Sequence, residues 1–510
     1  MTAKAGIRFV HQFCDTQIAN IIESNGAGGA WLDYDGDGWM DLYLVNSGPL
    51  AGVTHERAGT PRQPNRLFRN RGDGSFEDVT QKAGVGGAGY ATAAVAADYD
   101  NDGHTDLFVL GVGRCILYHN RGDGTFEDVT EKAGVANLGG TAVGAVFVDV
   151  DNDGYLDLFV ANYLQFDPGI RVSEGYPGPL SYKPQFNKLY RNRGDGTFED
   201  VSQSSGIQMR NHRAMSVAVL DYNYDGAPDL YLSNDGTPNV LLANDGHGHF
   251  HDVAPQAGVA FNAMGEAAGS MAACIGDCNG DGFQDIFVTR LGYGSLYLGS
   301  GNGAYEDNMG ASGLGALTTH SVGWGGCFLD FNNDGALDLF VANGDAEELN
   351  GSESSLFENR GKGMYVDASS KGGTWFKAKV RGRGSAAADY DNDGRMDIVV
   401  TALGDRPFLL HNRDHSANHW LTLDLQGTRS NRDGFGAVVR VTAGTKTWVT
   451  QARCDFGFLM QSDRRLHFGL GKAATVDQIQ IEWPSKQVQD LTNIRADQIL
   501  RIREPGHARP

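Results

Sequence analysis

DYDNDGHTD, residues 98–106, is the stretch on which the fold turns. It sets Asp98, Asp100, Asp102 and Asp106 at positions 1, 3, 5 and 9 of a nine-residue loop, with glycine at position 6. The same grammar returns six times. DYDGDGWMD carries Asp33, Asp35, Asp37 and Asp41, and DVDNDGYLD carries Asp149, Asp151, Asp153 and Asp157. DYNYDGAPD carries Asp221, Asn223, Asp225 and Asp229, and DCNGDGFQD carries Asp277, Asn279, Asp281 and Asp285. DFNNDGALD carries Asp330, Asn332, Asp334 and Asp338, and DYDNDGRMD carries Asp389, Asp391, Asp393 and Asp397. Oxygen donors packed this closely suit a hard divalent cation, and Ca²⁺ accepts six to eight of them. Glycine at position 6 allows the sharp turn such a loop needs. The 28 positions are therefore read as ligands for up to seven structural Ca²⁺ ions.

The charge balance agrees. The chain of 510 residues has 63 Asp+Glu against 42 Lys+Arg, a net charge of −21. Seven divalent cations would carry +14 and bring this to −7. A surface so acidic opposes nucleic-acid phosphates, and no apolar run is long enough for a transmembrane helix. These loops are not EF-hands, which need a bidentate Glu at position 12; that position holds Leu44, Val109, Val160, Leu232, Val288, Val341 and Val400. Short β-forming runs such as AAVAADYD before the loop and DLFVL after it show that each loop joins two strands.

Around each loop a longer unit repeats every 51 to 72 residues. A third strand ends in a glycine turn, as in LFRNRGDGSF (67–76), LYHNRGDGTF (117–126) and LYRNRGDGTF (189–198), and a short fourth strand, EDVT or a variant, follows. Four short strands per unit at this period indicate propeller blades. Three turns contain Arg-Gly-Asp (71–73, 121–123, 193–195), which invites a cell-adhesion reading; their fixed place in the unit favours hairpin chemistry, with Asp-Gly supplying the positive-φ positions. The expected architecture is all-β: a seven-bladed propeller over 1–415 and a small sandwich-like β domain over 416–510, with strands at 419–425, 436–442, 446–452, 477–483 and 498–503.

The units resemble the FG-GAP/VCBS repeats of integrin α-subunit propellers. NHWLTLDLQGTRSNRDGFGAVVRV (418–441), HFGLG (467–471) and VDQIQIEWPS (476–485) are similar to the ASPIC/UnbV domain of the cartilage acidic protein family. Lys486 stands where that family usually has glycine. The resemblance implies a binding or interaction protein. The alternative it admits is an enzyme of specialised metabolism, a cyclase or lyase of the kind found with enediyne cassettes, working in the central channel. No GxSxG, HExxH, Walker or Rossmann motif is present.

Thr2–Ile7, TAKAGI, parallels TQKAGV (80–85) and TEKAGV (130–135), each of which follows a fourth strand. The sequence therefore reads as beginning inside a repeat, with an upstream strand expected to close the last blade. Export to a calcium-rich extracellular or periplasmic space is expected, with the cytoplasm as the other possibility. The six cysteines show no metal-ligand spacing, and Cys274 and Cys327, each three residues before a loop aspartate, read as buried strand thiols. The metal loops and RGDG turns share one face of the ring; the connections 47–65 and 163–187 lie on the other, where a protein, glycan or small-molecule ligand is expected. At that level stand Glu23, Asn211, His212, Arg213, Glu266, His320, Trp324, Arg381 and Arg383, with His11 nearby, as candidates to ring a channel mouth with mixed charge.

Overall fold

The computed structural model describes residues 2–54, 59–87, 89–208, 212–319, 321–346 and 349–506. Seven antiparallel sheets follow one another along the chain. Their innermost strands are Gly29–Leu32, Tyr90–Ala97, Ala142–Val148, Ala214–Leu220, Ser270–Gly276, Gly323–Leu329 and Gly382–Ala388. Each packs on the next, and the seventh packs back on the first, closing a propeller. The nine-residue acidic loop makes the first hairpin of every sheet; in the first, Leu32 lies opposite Asp41. Small residues fill the inner strands because neighbouring backbones converge there: a Cβ on Gly325 would stand 2.5 Å from Ser385 N.

Six sheets have their own four strands, and the seventh has three: Gly382–Ala388, Asp397–Ala402 and Phe408–Leu410. Thr2–Ile7 packs against that sheet as Thr80–Val85 packs against the first. Leu409 N donates to Thr2 Oγ1 at 2.9 Å, as Leu67 N donates to Thr80 Oγ1 at 2.9 Å. All six cysteines are buried and none is in a disulfide.

Beyond the ring, two sheets pack face to face. One orders Leu466–Gly471, His419–Gln426 and Gln498–Arg503; the other orders Lys446–Gln451, Val438–Ala443, Thr475–Glu482 and Val488–Arg495. Leu421, Leu423, Val439, Val441, Ile479, Ile481 and Trp483 fill the space between them. The strands expected from sequence are present. Leu466–Gly471 and Val488–Arg495 are additional: the first carries the HFGLG motif, and in the second the apolar residues Val488, Leu491 and Ile494 are spaced by three, which hides the strand's alternation. Lys486 takes φ +66°, the left-handed turn that favours glycine, and its N–H reaches Trp483 O at 2.8 Å.

One segment of this C-terminal unit leaves it and enters the propeller. Met460–Gln461 adds a parallel strand to Gly29–Ala30. Around it, Gly29 N donates to Leu459 O (3.0 Å), Asp463 N to Ala387 O (3.0 Å) and Arg453 Nη2 to Ile275 O (2.5 Å). Gln461 closes a pair with the backbone of Ala96 (2.7 and 3.0 Å). Cys454, Phe456, Phe458 and Leu459 are buried among the inner strands, with Phe458 against Trp324 at 5.4 Å.

Candidate metal centres and the face across the ring

All seven metal loops share one hydrogen-bond scheme. The position-1 carboxylate accepts the N–H of position 5 at 3.0–3.1 Å and of the position-6 glycine at 2.6–3.0 Å. The position-9 carboxylate accepts the N–H of a third-strand residue at 2.6–2.9 Å: Asn70, Asn120, Asn192, Asn244, Gly299, Asn359 and Asn412. Its other oxygen takes the position-2 N–H in six loops; in the seventh, Asp397 Oδ2 is buried without a partner, as is Asp391 Oδ1. The backbone thus fixes positions 1 and 9, and position 5 as well, whose Oδ1 accepts the position-7 N–H at 2.8–3.0 Å in every loop. In Asp33/Asp35/Asp37, Asp98/Asp100/Asp102 and Asp149/Asp151/Asp157, one oxygen from each residue lies within 4.8 Å of the others.

Burial drives the carboxylates upward. Asp98 is pushed to about 8 by burial and then by Asp433 and Asp106, and Asp338 to about 9 by burial and Asp330. Asp149, Asp285 and Asp389 rise to about 7, chiefly through burial. An enclosed group of carboxylates is stable in its charged form only with a cation among them, so this donor set fits a hard divalent ion.

The residue before the third-strand asparagine differentiates the loops, a signal the periodic reading passed over. Arg69 Nε lies 2.6 Å from Asp35, and Arg191 pairs with Asp151. His119 Nδ1 lies 3.2 Å from Asp100 and 3.3 Å from Asp106, and His411 Nδ1 lies 3.3 Å from Asp397. Hydrogen bonding to Asp106, against the effect of burial, lifts His119 to about 9. Ala243, Leu298 and Glu358 occupy that place in the fourth, fifth and sixth sheets.

Two belts of side chains join the loops to one another. The third-strand asparagine donates to the position-2 carbonyl of the preceding loop: Asn120 to Tyr34 (2.7 Å), Asn192 to Tyr99 (2.8 Å), Asn244 to Val150 (2.8 Å), Asn359 to Cys278 (2.7 Å) and Asn412 to Phe331 (2.7 Å). Position 4, left-handed throughout, bonds the position-6 carbonyl of the following loop: Asn101 to Gly154 (2.9 Å), Asn333 to Gly394 (2.8 Å) and Asn392 to Gly38 (3.0 Å).

The C-terminal unit covers this face. Asp98 N donates to Asp433 (2.8 Å), Arg432 N to Asn101 Oδ1 (2.7 Å) and Arg465 Nη1 to Asn392 Oδ1 (2.9 Å). Trp448 Nε1 reaches Gly335 O (2.9 Å), and His467 Nε2 meets Asn333 Oδ1 (2.8 Å). The loop glycines Gly154, Gly226 and Gly282 face Arg429, Lys486 and Val449. With Arg465 Nη1 also reaching Gly38 O (3.5 Å), every one of the seven loops lies against the C-terminal unit or the segment it inserts. In the RGDG turns, Asp73, Asp123 and Asp195 each accept both the N–H and the hydroxyl of the residue two positions on, which is hairpin chemistry.

Across the ring, the described candidates do not form an open mouth of mixed charge. Glu23 is buried, its carboxylate accepting Ala19 N–H (2.9 Å) and Thr54 Oγ1–H (3.0 Å). Arg213 is buried and donates to Tyr182 O (2.9 Å). Arg383, buried over Trp324, donates to Ser24 O (2.8 Å) and Asp345 O (3.1 Å); burial lowers it to about 9. His11 is driven down to about 3 by burial and by Arg383 and Arg381; neutral, it accepts Gly404 N–H at Nδ1 (3.2 Å) and meets Ser47 Oγ through Nε2 (2.9 Å). His212 and Arg381 are half-buried, and Glu266 is exposed, bonded to Asn262. Asn211 and His320 lie outside the described residues. Loops 11–24, 47–54 and 163–187 fold over these groups, and Ile21, Ile22, Phe456, Phe458 and Leu459 share one core with the inner strands. Among the described residues the candidates do not converge on one open mouth.

This face exposes several large apolar side chains among polar ones. Leu180 (72 % exposed) lies 3.5 Å from the Cβ position of Gly236; Gly236 N bonds Ala268 O; and Leu291 (57 % exposed) bonds Gly269 O. Leu138, Phe186, Phe261 and Met264 are exposed on the same face.

Residues 33–109, 98–160, 180–232, 221–288, 277–341 and 330–400 match the FG-GAP-like repeat, and residues 427–509 match the family described as ASPIC and UnbV. The repeat intervals take in more than half of the chain, which belongs to the FG-GAP-like repeat family and carries a C-terminal ASPIC and UnbV domain. The chain is similar to cartilage acidic protein 1 of Mus musculus and of Homo sapiens, 25% identical to each over 280 residues. That is 50% of this chain, but only 39% and 38% of those proteins. Among solved structures it is similar to an Agrocybe aegerita lectin specific for non-reducing terminal N-acetylglucosamine (TM-score 0.41, 18% identity, 67% of this chain and 79% of that one). It is also similar to the V. cholerae biofilm matrix protein Bap1 (TM-score 0.33, 10% identity, 96% and 70%). No helix among the described residues is long and apolar enough to cross a membrane.

Proposed function

We propose that this is a calcium-stabilised interaction protein of an extracellular or periplasmic space, engaging a protein, glycan or small molecule through the face across the ring from its metal loops. The observation that carries the reading is the division of the two faces. One is occupied by the C-terminal domain, while the other presents Leu180, Leu291, Phe261 and Met264 to solvent. Exposed large apolar side chains gathered on one face mark interaction surfaces. Ca²⁺ is the cation assigned to the loops because every donor is a carboxylate or amide oxygen. In this reading the 28 loop residues hold the ring in shape and make no contact with the partner. Low-affinity calcium sites suit a compartment with ample calcium.

The test is a paired substitution. Leu180→Asp with Leu291→Asp should leave the melting temperature unchanged and abolish hits on glycan and extracellular-protein arrays. Val488→Asp, exposed on the C-terminal domain, should leave those hits intact. Retention of every hit by the double variant would contradict the reading.

A further inference from the structure

The seven loops are not one kind of site. The third-strand residue that reaches toward the loop is arginine in the first and third sheets and histidine in the second and seventh. His119 Nδ1 stands 3.2 Å from Asp100 Oδ2 and 3.3 Å from Asp106 Oδ1. His411 Nδ1 stands 3.6 Å from Asp391 Oδ2 and 3.3 Å from Asp397 Oδ1. In both loops, then, one imidazole nitrogen meets the carboxylates of positions 3 and 9. Each ring also stands edge-on to the position-2 tyrosine: His119 to Tyr99 at 80° and His411 to Tyr390 at 67°, with centroids 6.4 and 5.9 Å apart. The same orientation thus occurs in a four-stranded sheet and in a three-stranded one.

Buried oxygens beside the ring point to a ligand. Asp397 is 1 % exposed, and its Oδ2 has no hydrogen-bond partner among the described residues, while Oδ1 of the same carboxylate is the oxygen next to His411. Asp391 Oδ1 is likewise buried without a partner. A carboxylate oxygen left bare in the interior costs free energy that a cation in the site removes. Asp100, Asp106 and His119 each offer an atom within 4.8 Å of the others, as do Asp391, Asp393 and His411, a spacing that one ion can span. Arg395 pairs with Asp393, which leaves Asp391, Asp397 and His411 as the principal donors of the seventh loop.

We propose that the second and seventh loops are mixed nitrogen–oxygen sites for a borderline first-row divalent ion of the Zn²⁺ class, while the other five keep an all-oxygen set suited to Ca²⁺. Asp100, Asp106 and His119 hold one ion, and Asp391, Asp397 and His411 the other, each histidine joining from outside the nine residues of the loop. Neutral imidazole binds such an ion through the Nδ1 lone pair, whereas Ca²⁺ selects oxygen. Arginine at the same place does not serve, because guanidinium keeps its proton and accepts nothing. The proposal rests on reading the loops as cation sites and divides them between two metals.

The full chain, stripped of metal and returned to excess Ca²⁺, is titrated with Zn²⁺ by calorimetry and with Co²⁺ by visible absorption, and bound metals are counted by elemental analysis. Two tight Zn²⁺ ions per chain are expected, with a Co²⁺ spectrum of mixed nitrogen and oxygen ligation. His119→Asn and His411→Asn should each weaken one of the two sites by at least about tenfold, and the double variant both. His249→Asn with His251→Asn removes an exposed His-x-His pair on the fourth sheet and should leave both sites intact. Zn²⁺ uptake that survives the His119 and His411 double variant, or that vanishes with His249 and His251, would overturn the proposal. An oxygen-only Co²⁺ spectrum in the unmodified chain would overturn it whatever the variants do, as would seven Ca²⁺ ions undisturbed by Zn²⁺. Two Zn²⁺ ions retained with no Ca²⁺ in the remaining loops would sink the calcium reading and leave this one standing.

Discussion

Asn70 Nδ2 donates to the backbone carbonyl of Tyr390 at 2.7 Å, tying the third strand of the first sheet to the metal loop of the seventh across 320 residues of chain. The same amide donates to Met40 O at 3.0 Å, and its backbone N–H reaches Asp41 at 2.7 Å. A single buried asparagine therefore joins two metal loops and closes the ring.

Asn70→Ala leaves two buried carbonyls without their donor and should destabilise the fold by about 1–3 kcal/mol, read from denaturant unfolding. The fifth sheet is instructive because Gly299 replaces the asparagine and its added Cβ would stand 2.5 Å from Gln284 O. Gly299→Asn should accordingly lower stability, although it restores the residue found in the other six sheets.

Phe458 is fully buried against Trp324 on the propeller axis. Phe458→Ala should cost about 3–5 kcal/mol and should make the ring and the C-terminal domain unfold in separate calorimetric transitions. A loss confined to the C-terminal transition would contradict the inserted position of 453–463.

Glu504 gives a pH signature. Burial alone would raise its carboxyl, but the Ser485 hydroxyl and the N–H groups of Arg429, Thr428 and Ser430 (2.7–3.0 Å for the three N–H groups) outweigh that and hold it at about 2. A depressed folded-state value stabilises the fold above the unfolded value of 4.5, and that contribution disappears as pH falls toward 2. The melting temperature of Glu504→Gln should therefore lie below wild type at pH 7, with the gap narrowing between pH 4.5 and 2. A gap independent of pH would refute this.

Arg69 and Arg191 hold oxygens that a cation would use. Arg69→Ala with Arg191→Ala should tighten calcium binding at the first and third loops by about 1–2 kcal/mol per site, measured by titration calorimetry. Unchanged or weaker binding would assign the guanidinium groups a supporting role.

How much of this was legible in the sequence follows from how far each interaction reaches along the chain. The loops announced themselves because their donors lie within nine residues and recur at a regular period, as did the alternation that places the strands. The asparagine belts were hidden, since Asn120 finds Tyr34 and Asn333 finds Gly394 on other repeats, and neither residue carries a charge to flag it. The inserted segment has no periodicity; CDFGFLMQ reads as an ordinary apolar stretch until Gly29 and Trp324 are seen beside it. Glu23, Arg213 and Arg383 were placed at the correct level of the ring, but the loops that fold over them turn a supposed mouth into an interior.

Calcium content of the purified chain, measured by elemental analysis alongside melting with and without EGTA, is the most direct test of whether cations hold the acidic loops together. Several calcium ions per chain and a melting temperature lowered by at least about 5 °C on chelation, restored by calcium, are predicted. A metal-free protein whose melting ignores EGTA would contradict the assignment.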